Sequence, residues 1–177
     1  GIWNLNVLPW NECRRETDGD GTNQKDSKEI MKWKEKESMC ALKVYACYNT
    51  DKGVRLSSSS GAVFSSLAEY VLEQQGVVYG VAMAEDCYSA EFISVTSKEQ
   101  LKKLRGSKYL QAKVGNTYKS VKENLMSGKL VLFSGTGCQV NGLKSFLGKE
   151  YENLICVDVI CHGAPSPALW RKYAEHQ

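Results

Sequence analysis

The stretch 130-LVLFSGTGCQVNGLKSFL-147 decides how this chain is read. Leu130 to Ser134 is a short apolar run that reads as a buried strand. Gly135-Thr136-Gly137 is a turn, and a helical pattern starts at or just after Cys138. Nucleotide-binding folds cradle phosphate with a strand, a glycine turn and a helix, because the helix start offers free N–H groups and the positive end of its dipole. Two established versions of that motif fail here. The dinucleotide fingerprint needs a third glycine where Val140 stands, with Gly142 two residues late. A P-loop needs G-K-S/T, which is absent. Instead a thiol sits in the crook of the turn. A helix N-terminus favours thiolate, and thiolates attack substrates or bind soft metal centres. A half-buried structural cysteine fits the same residues.

Downstream, 154-LICVDVI-160 is apolar almost throughout, which predicts a strand buried on both faces. It runs into Cys161-His162-Gly163 and then two prolines. In parallel α/β sheets ligands gather at the carboxyl ends of strands. Cys138 and Cys161 each lie just past such an end, so they converge if the two strands are neighbours. His162 reads as a ligand, a proton donor or a satisfied structural histidine.

Upstream, Leu42 to Tyr48 reads as a strand and residues 49–53 as a turn. Val63, Phe64, Leu67, Tyr70, Val71 and Leu72 fall near one face of a helix, with Gly76 as its C-cap. Val77 to Met83 and residues 91–96 read as strands. Ser97 to Leu104 reads as a short helix with Ser97 as N-cap and Gln100 as its capping-box partner. Val114 to Met126 reads as another helix, closed by Ser127-Gly128. Strands alternating with helices predict an α/β fold, a mixed or mainly parallel sheet flanked by helices.

Two loops carry ligand chemistry. In 57-SSSSGAVF-64, serines and a glycine stand before a helix, where hydroxyls, free N–H groups and the dipole can hold a phosphate. The same residues suit a polar loop that merely caps the helix. In 104-LRGSKYLQAK-113, Arg105 and Lys108 can clamp a pyrophosphate and Tyr109 can stack on a flat ring, or the segment is a basic surface loop.

The totals bound these readings. The chain has 177 residues and a net charge of +3, enough for a real core and without a global bias toward nucleic acid. No apolar run approaches the roughly 20 residues of a membrane helix. The opening GIWNLNVLPW lacks a basic region and an A-x-A site, so no secretory signal is read there. The expected setting is cytoplasmic. The chain does not start with methionine, which suggests a fragment or a processed product. Residues 14–38 are nearly all polar, and residues 1–42 read as a tail or linker before a domain spanning 43–177. Within that tail Asp18, Asp20, Thr22, Asp26 and Glu29 match calcium-loop positions, but Asn23 replaces the glycine such a loop needs, so a solvated linker is the reading kept. The seven cysteines, Cys13, Cys40, Cys47, Cys87, Cys138, Cys156 and Cys161, include no C-x-x-C pair. That excludes a local zinc finger or ferredoxin-type cluster and leaves buried thiols or a site assembled from distant cysteines.

The order S-S-S-G-A-V-F, L-R-G-S-K-Y-L-Q, V-L-F-S-G-T-G-C-Q-V-N-G-L and V-D-V-I-C-H-G-A-P-S-P resembles the beta subunit of coenzyme F420-reducing hydrogenases and dehydrogenases, over about residues 43–173. The resemblance implies an electron-transfer oxidoreductase subunit carrying FAD and a [4Fe–4S] cluster, with coenzyme F420 or another low-potential carrier as its substrate. It implies partners among other redox subunits or a ferredoxin-type domain, and neither nucleic acid nor a membrane span. Ser58, Ser59, Ser60 and Gly61 resemble a flavin phosphate contact. Arg105, Gly106, Ser107, Lys108, Tyr109 and Gln111 resemble further flavin-pocket residues, and Cys138 and Cys161 resemble cluster ligands. By the same resemblance, the C-terminal part of the family domain begins near residue 130 and is cut short here.

This sequence departs from the family pattern in places. Gly137 stands where the family usually has proline, Ala62 where it has a second glycine, and Ala112 where it has serine. A cluster needs about four thiolates, and two well-matched ones are visible, with Cys87 and Cys156 as further candidates. A redox-inactive docking subunit of the same fold is the alternative, and thiol catalysis by Cys138 with His162 as base is a third.

Overall fold

The computed structural model describes residues 5–9 and 45–176. The polar run 14–38, with its calcium-like spacing, and Cys13 and Cys40 lie outside the described residues. Strand β1 (Leu5–Pro9) pairs antiparallel with β2 (Tyr45–Asn49). A second sheet holds five strands in the order β5-β4-β3-β6-β7. Its members are β3 (Val77–Met83), β4 (Ala90–Val95), β5 (Ala112–Lys113), β6 (Val131–Thr136) and β7 (Leu154–Val159). Only β3 and β4 run antiparallel; β3 with β6, β6 with β7 and β4 with β5 are parallel. The sheet is therefore mixed and mainly parallel, as the alternation of elements predicts.

Period-2 alternation divides the core between the two faces of this sheet. Val77, Tyr79, Val131 and Phe133 point to one face, where Val121 and Leu125 of α3 (Thr117–Met126) and Val140, Leu143 and Leu147 of α4 (Gly137–Leu147) cover them. Phe133 is fully buried, stacked on Phe92 at 5.0 Å and met edge-on by Tyr118 at 6.0 Å. Val78, Ala82 and Leu132 point to the other face, against Ala68 and Val71 of α2 (Val63–Glu73) and against Leu101 and Leu104. Helices flank the sheet on both sides.

Several local readings change. The expected turn at 49–53 is partly α1 (Lys52–Leu56), capped by Asp51, whose carboxylate accepts from Val54 N at 2.9 Å. The Ser97–Leu104 segment is a 3₁₀ helix over Lys98–Lys103, and Gln100 accepts from Thr96 N rather than Ser97 N. Gly76 is not a C-cap: Gln75 takes the left-handed turn at φ 57°. Strand β7 is only half-buried, because among the described residues it borders the sheet with β6 as its one neighbour. Its Cys156 and Leu154 pack on one face and Ile155 and Val157 on the other, so its apolar sequence serves both layers. Helix α5 (Pro167–Glu175) was not read from the sequence at all. Its signal was there: Ser166 caps it, accepting from Leu169 N at 3.2 Å, with Pro167 at the first helical position.

Candidate functional site

The serine loop does not cap the helix that follows it. Ser57 and Ser58 both donate to the Val54 carbonyl, at 2.9 and 2.8 Å, and so close α1 instead. The N-cap of α2 is Ala62, which has no side-chain acceptor to offer, so no side chain caps its first turn. The first N–H groups of such a helix have no partner within it. Ala62 also holds a left-handed conformation, φ 59° and ψ 23°, at the position where the resemblance expects glycine. Left-handed backbone costs an alanine about 1–2 kcal/mol, so the surroundings enforce it. Asn49 supplies part of that enforcement: its backbone N–H donates to Gly61 O at 2.7 Å and its buried side chain donates to Ser66 Oγ at 2.8 Å.

The R-G-S-K-Y loop closes directly onto this corner. Arg105 reaches across 48 residues to donate from Nη1 to Ser57 Oγ at 3.2 Å. Its Nε donates to the buried Ser65 Oγ at 3.1 Å, and its Nη2 lies 3.9 Å from the Glu69 carboxylate. Ser107 and Ser59 hydroxyls meet at 3.3 Å. Lys108 turns inward, donating from Nζ to Lys103 O at 3.1 Å and Arg105 O at 2.7 Å, and burial pulls its pKa below the usual lysine value. It shapes the loop rather than presenting a free charge. Gly106 takes φ 79°, which the turn requires. Tyr109, in the same loop, is 78% exposed and presents an open aromatic face. Gln111 N donates to Pro165 O at 3.4 Å and ties this loop to the segment after Cys161.

The second locus is the junction of β6 with α4, which follow one another directly: the expected turn at Gly135-Thr136-Gly137 is the end of the strand and the first helical residue. Strands β6 and β7 are neighbours, and their register pairs Thr136 with Val159. Cys138 and Cys161 thus each follow by two residues the last paired positions of adjacent parallel strands. Both line one open cleft of about 420 Å³, with Thr136, Gly137, Asp158, Val159 and Ile160. Cys138 Sγ lies 3.1 Å from Thr136 Oγ1, and Cys161 Sγ accepts from Gly163 N at 3.2 Å. His162 is exposed and is not among the residues lining the cleft. Cys156 packs against the core and burial pushes its thiol pKa up, and Cys87 sits on the β3–β4 turn with φ 59°. Neither lines the cleft.

Residues that sequence reading did not single out hold this junction. Gln139 Oε1 accepts from Thr136 N at 2.9 Å and fixes the entry to α4. Tyr118, from α3, donates to Gln139 O at 2.8 Å. Its hydroxyl lies where a Cβ on Gly142 would come to within 2.9 Å, so Gly142 is glycine to admit it. Burial first, and the nearby Cys138 second, raise the Tyr118 pKa. Helix α5 is anchored by Trp170, whose indole N–H donates to Cys87 O at 2.7 Å.

Gly137 is the first residue of α4, and Thr136 before it has φ −71° and ψ 160°. That is the backbone a residue preceding proline prefers, and proline at this helix position gives up only an N–H with no helical partner. A Cβ there meets only the exposed Asp158 carboxylate, at 3.2 Å. Gly137→Pro is therefore expected to stabilise the protein by about 0.4–1 kcal/mol by restricting the unfolded chain, read as a higher urea midpoint at unchanged slope.

A mixed α/β sheet, an uncapped helix start bonded to the Arg105 loop, and two thiols at adjacent strand ends define the class of domain to which the chain is compared. Family comparison gives that class a name: residues 44–118 match the N-terminal part, and residues 128–177 the C-terminal part, of the coenzyme F420 hydrogenase/dehydrogenase beta subunit. The chain belongs to that family. Among solved structures it is similar to a chain of the F420-reducing [NiFe] hydrogenase complex from Methanosarcina barkeri, at 17% identity and a TM-score of 0.59. The match covers 72% of this chain and 47% of that one, so the chain spans about half the length of the protein it resembles. Comparison with curated proteins gives no significant match. No helix among the described residues is long and apolar enough to cross a membrane.

Proposed function

We propose that this chain is part of a flavin-dependent electron-transfer subunit, with FAD held across the serine loop and the R-G-S-K-Y loop. The observation that carries this reading is the direct bonding of the two loops, Arg105 to Ser57 and Ser65 and Ser107 to Ser59, at the uncapped start of α2. The donors present suit a phosphate-bearing cofactor. Free N–H groups and the dipole at the α2 start favour an anion, Ser59, Ser60 and Ser107 add hydroxyls, and Tyr109 offers a stacking face. Arg105 fixes both loops and supplies the positive charge. Bound flavin takes up a hydride and can release its electrons singly.

Cys138 and Cys161 are the proposed attachment points for an iron–sulfur cluster. The described residues alone do not complete that site. A cluster needs about four thiolates, and among the described residues no three His, Cys, Asp or Glu side chains are placed to hold a metal. The remaining ligands come from outside the described residues, or the chain is a docking subunit without the cluster. The electron acceptor proposed is coenzyme F420 or another low-potential carrier, and the partners are other redox subunits or a ferredoxin-type domain.

Anaerobic purification of the full-length gene product tests the reading, by ultraviolet–visible spectrum and iron assay. Flavin bands with about four irons per chain are expected. A colourless, iron-free protein overturns the redox reading in favour of docking.

A further inference from the structure

We infer that Glu69 competes internally for the Arg105 guanidinium and thereby sets how tightly this corner holds the phosphate of its ligand. The inference deepens the flavin reading and rests on it. Helix α2 places Ser65, Glu69 and Glu73 four residues apart on one face. The segment from Lys98 to Arg105 lies along that face. Lys98 pairs with Glu73 at 2.8 Å, Arg105 donates to Ser65 at 3.1 Å, and Arg105 stands 3.9 Å from Glu69.

The two ion pairs differ in kind. Lys98 and Glu73 are half-exposed, with side-chain exposures of 50% and 56%, so solvent and salt screen them. Arg105 and Glu69 are less open, at 19% and 32%. At 3.9 Å their contact is Coulombic and too long for a hydrogen bond. The bonds of Arg105 to Ser57 and Ser65 are made by Nη1 and Nε, not by the Nη2 that faces Glu69. Glu69 therefore adds little to the clasp. It offsets positive charge that an incoming phosphate meets, and it stands little more than a turn along α2 from the uncapped N–H groups.

The probes are FAD, followed by quenching of its fluorescence, and inorganic pyrophosphate, followed by thermal shift. Both are titrated into the full chain as wild type, Glu69→Gln and Glu73→Gln. Glu69→Gln is expected to tighten binding of both probes by roughly two- to five-fold, the scale of a partly exposed ion pair. Glu73→Gln removes the same charge from the same helix but faces Lys98, so it is expected to leave both affinities unchanged. Equal tightening by the two variants makes the effect one of net charge and overturns the inference, as does Glu69→Gln binding no more tightly than wild type. If pyrophosphate responds to Glu69→Gln while FAD does not bind, the flavin reading fails and the role of Glu69 stands. If neither probe binds any variant, both fail.

Discussion

Gly76→Ala is expected to lose about 3–5 kcal/mol of stability, from overpacking against backbone together with weakening of two hydrogen bonds. A Cβ at this position would run into the Leu130 carbonyl oxygen, and would come within 2.7 Å of Val71 O and 2.6 Å of Val71 Cγ1. Two of these obstacles are main-chain atoms, one within α2 and one directly before β6. They are also hydrogen-bond partners: Gly76 N donates to Val71 O and Val77 N to Leu130 O, both at 2.9 Å. Moving either carbonyl to admit a methyl group weakens the junction of α2, β3 and β6. Since domains are stable by only about 5–15 kcal/mol, much of the protein is expected to be lost to aggregation on expression at 37 °C. A urea midpoint within experimental error of wild type would show that the junction can open without cost.

Cys138→Ser and Cys161→Ser are each expected to remove most of the iron and the cluster absorbance from the anaerobically purified full-length protein, while Cys156→Ser keeps both. Serine preserves size but replaces a soft thiolate by a hard hydroxyl that binds iron–sulfur clusters poorly. Both cysteines are exposed on the cleft, so neither change opens a core cavity. Flavin content, read from the same spectra, is expected to hold, because the residues of the loops proposed to hold flavin do not line this cleft. Full iron in Cys138→Ser would move the cluster away from this cleft. Loss of flavin along with iron would point to general unfolding instead.

The sequence made some of this legible and hid the rest for physical reasons. The strand and helix of 130–147 lie within two residues of their expected bounds, because a continuous apolar run and a 3.6-residue pattern agree there, but the expected glycine turn is absent: Gly135 and Thr136 end β6 and Gly137 opens α4. Helix α1 was missed because five residues are too few to show a period, and none of them is buried. Helix α5 carried a legible signal, Leu169, Trp170 and Tyr173 at helical spacing behind Ser166 and Pro167, although none of its residues is buried. The serines were legible as ligand chemistry but not in their division of labour. Which of them close α1 depends on where α1 ends, and the cap of α2 falls on Ala62 because of its backbone rather than its side chain. The meeting of Arg105 with Ser57 has no local signature; the family resemblance implied only that the two loops serve one flavin, and it did not include Ser57. Gln139 had a legible signal, the capping box Thr136-x-x-Gln139, that was masked by reading 135–137 as a turn, and Tyr118 acts from a different helix.

The pairing of Thr136 with Val159 has a consequence for how this domain can vary. Each thiol is counted from the end of its own strand, and the two strands are locked side by side by their ladder. The helix and turn between them, residues 137–153, can lengthen or shorten at the far end without changing where Cys161 emerges. The geometry of the cleft is thus insulated from insertions in the connection that builds it. Divergent members of such a lineage can rewrite the outside of the molecule while the two sulfurs stay level.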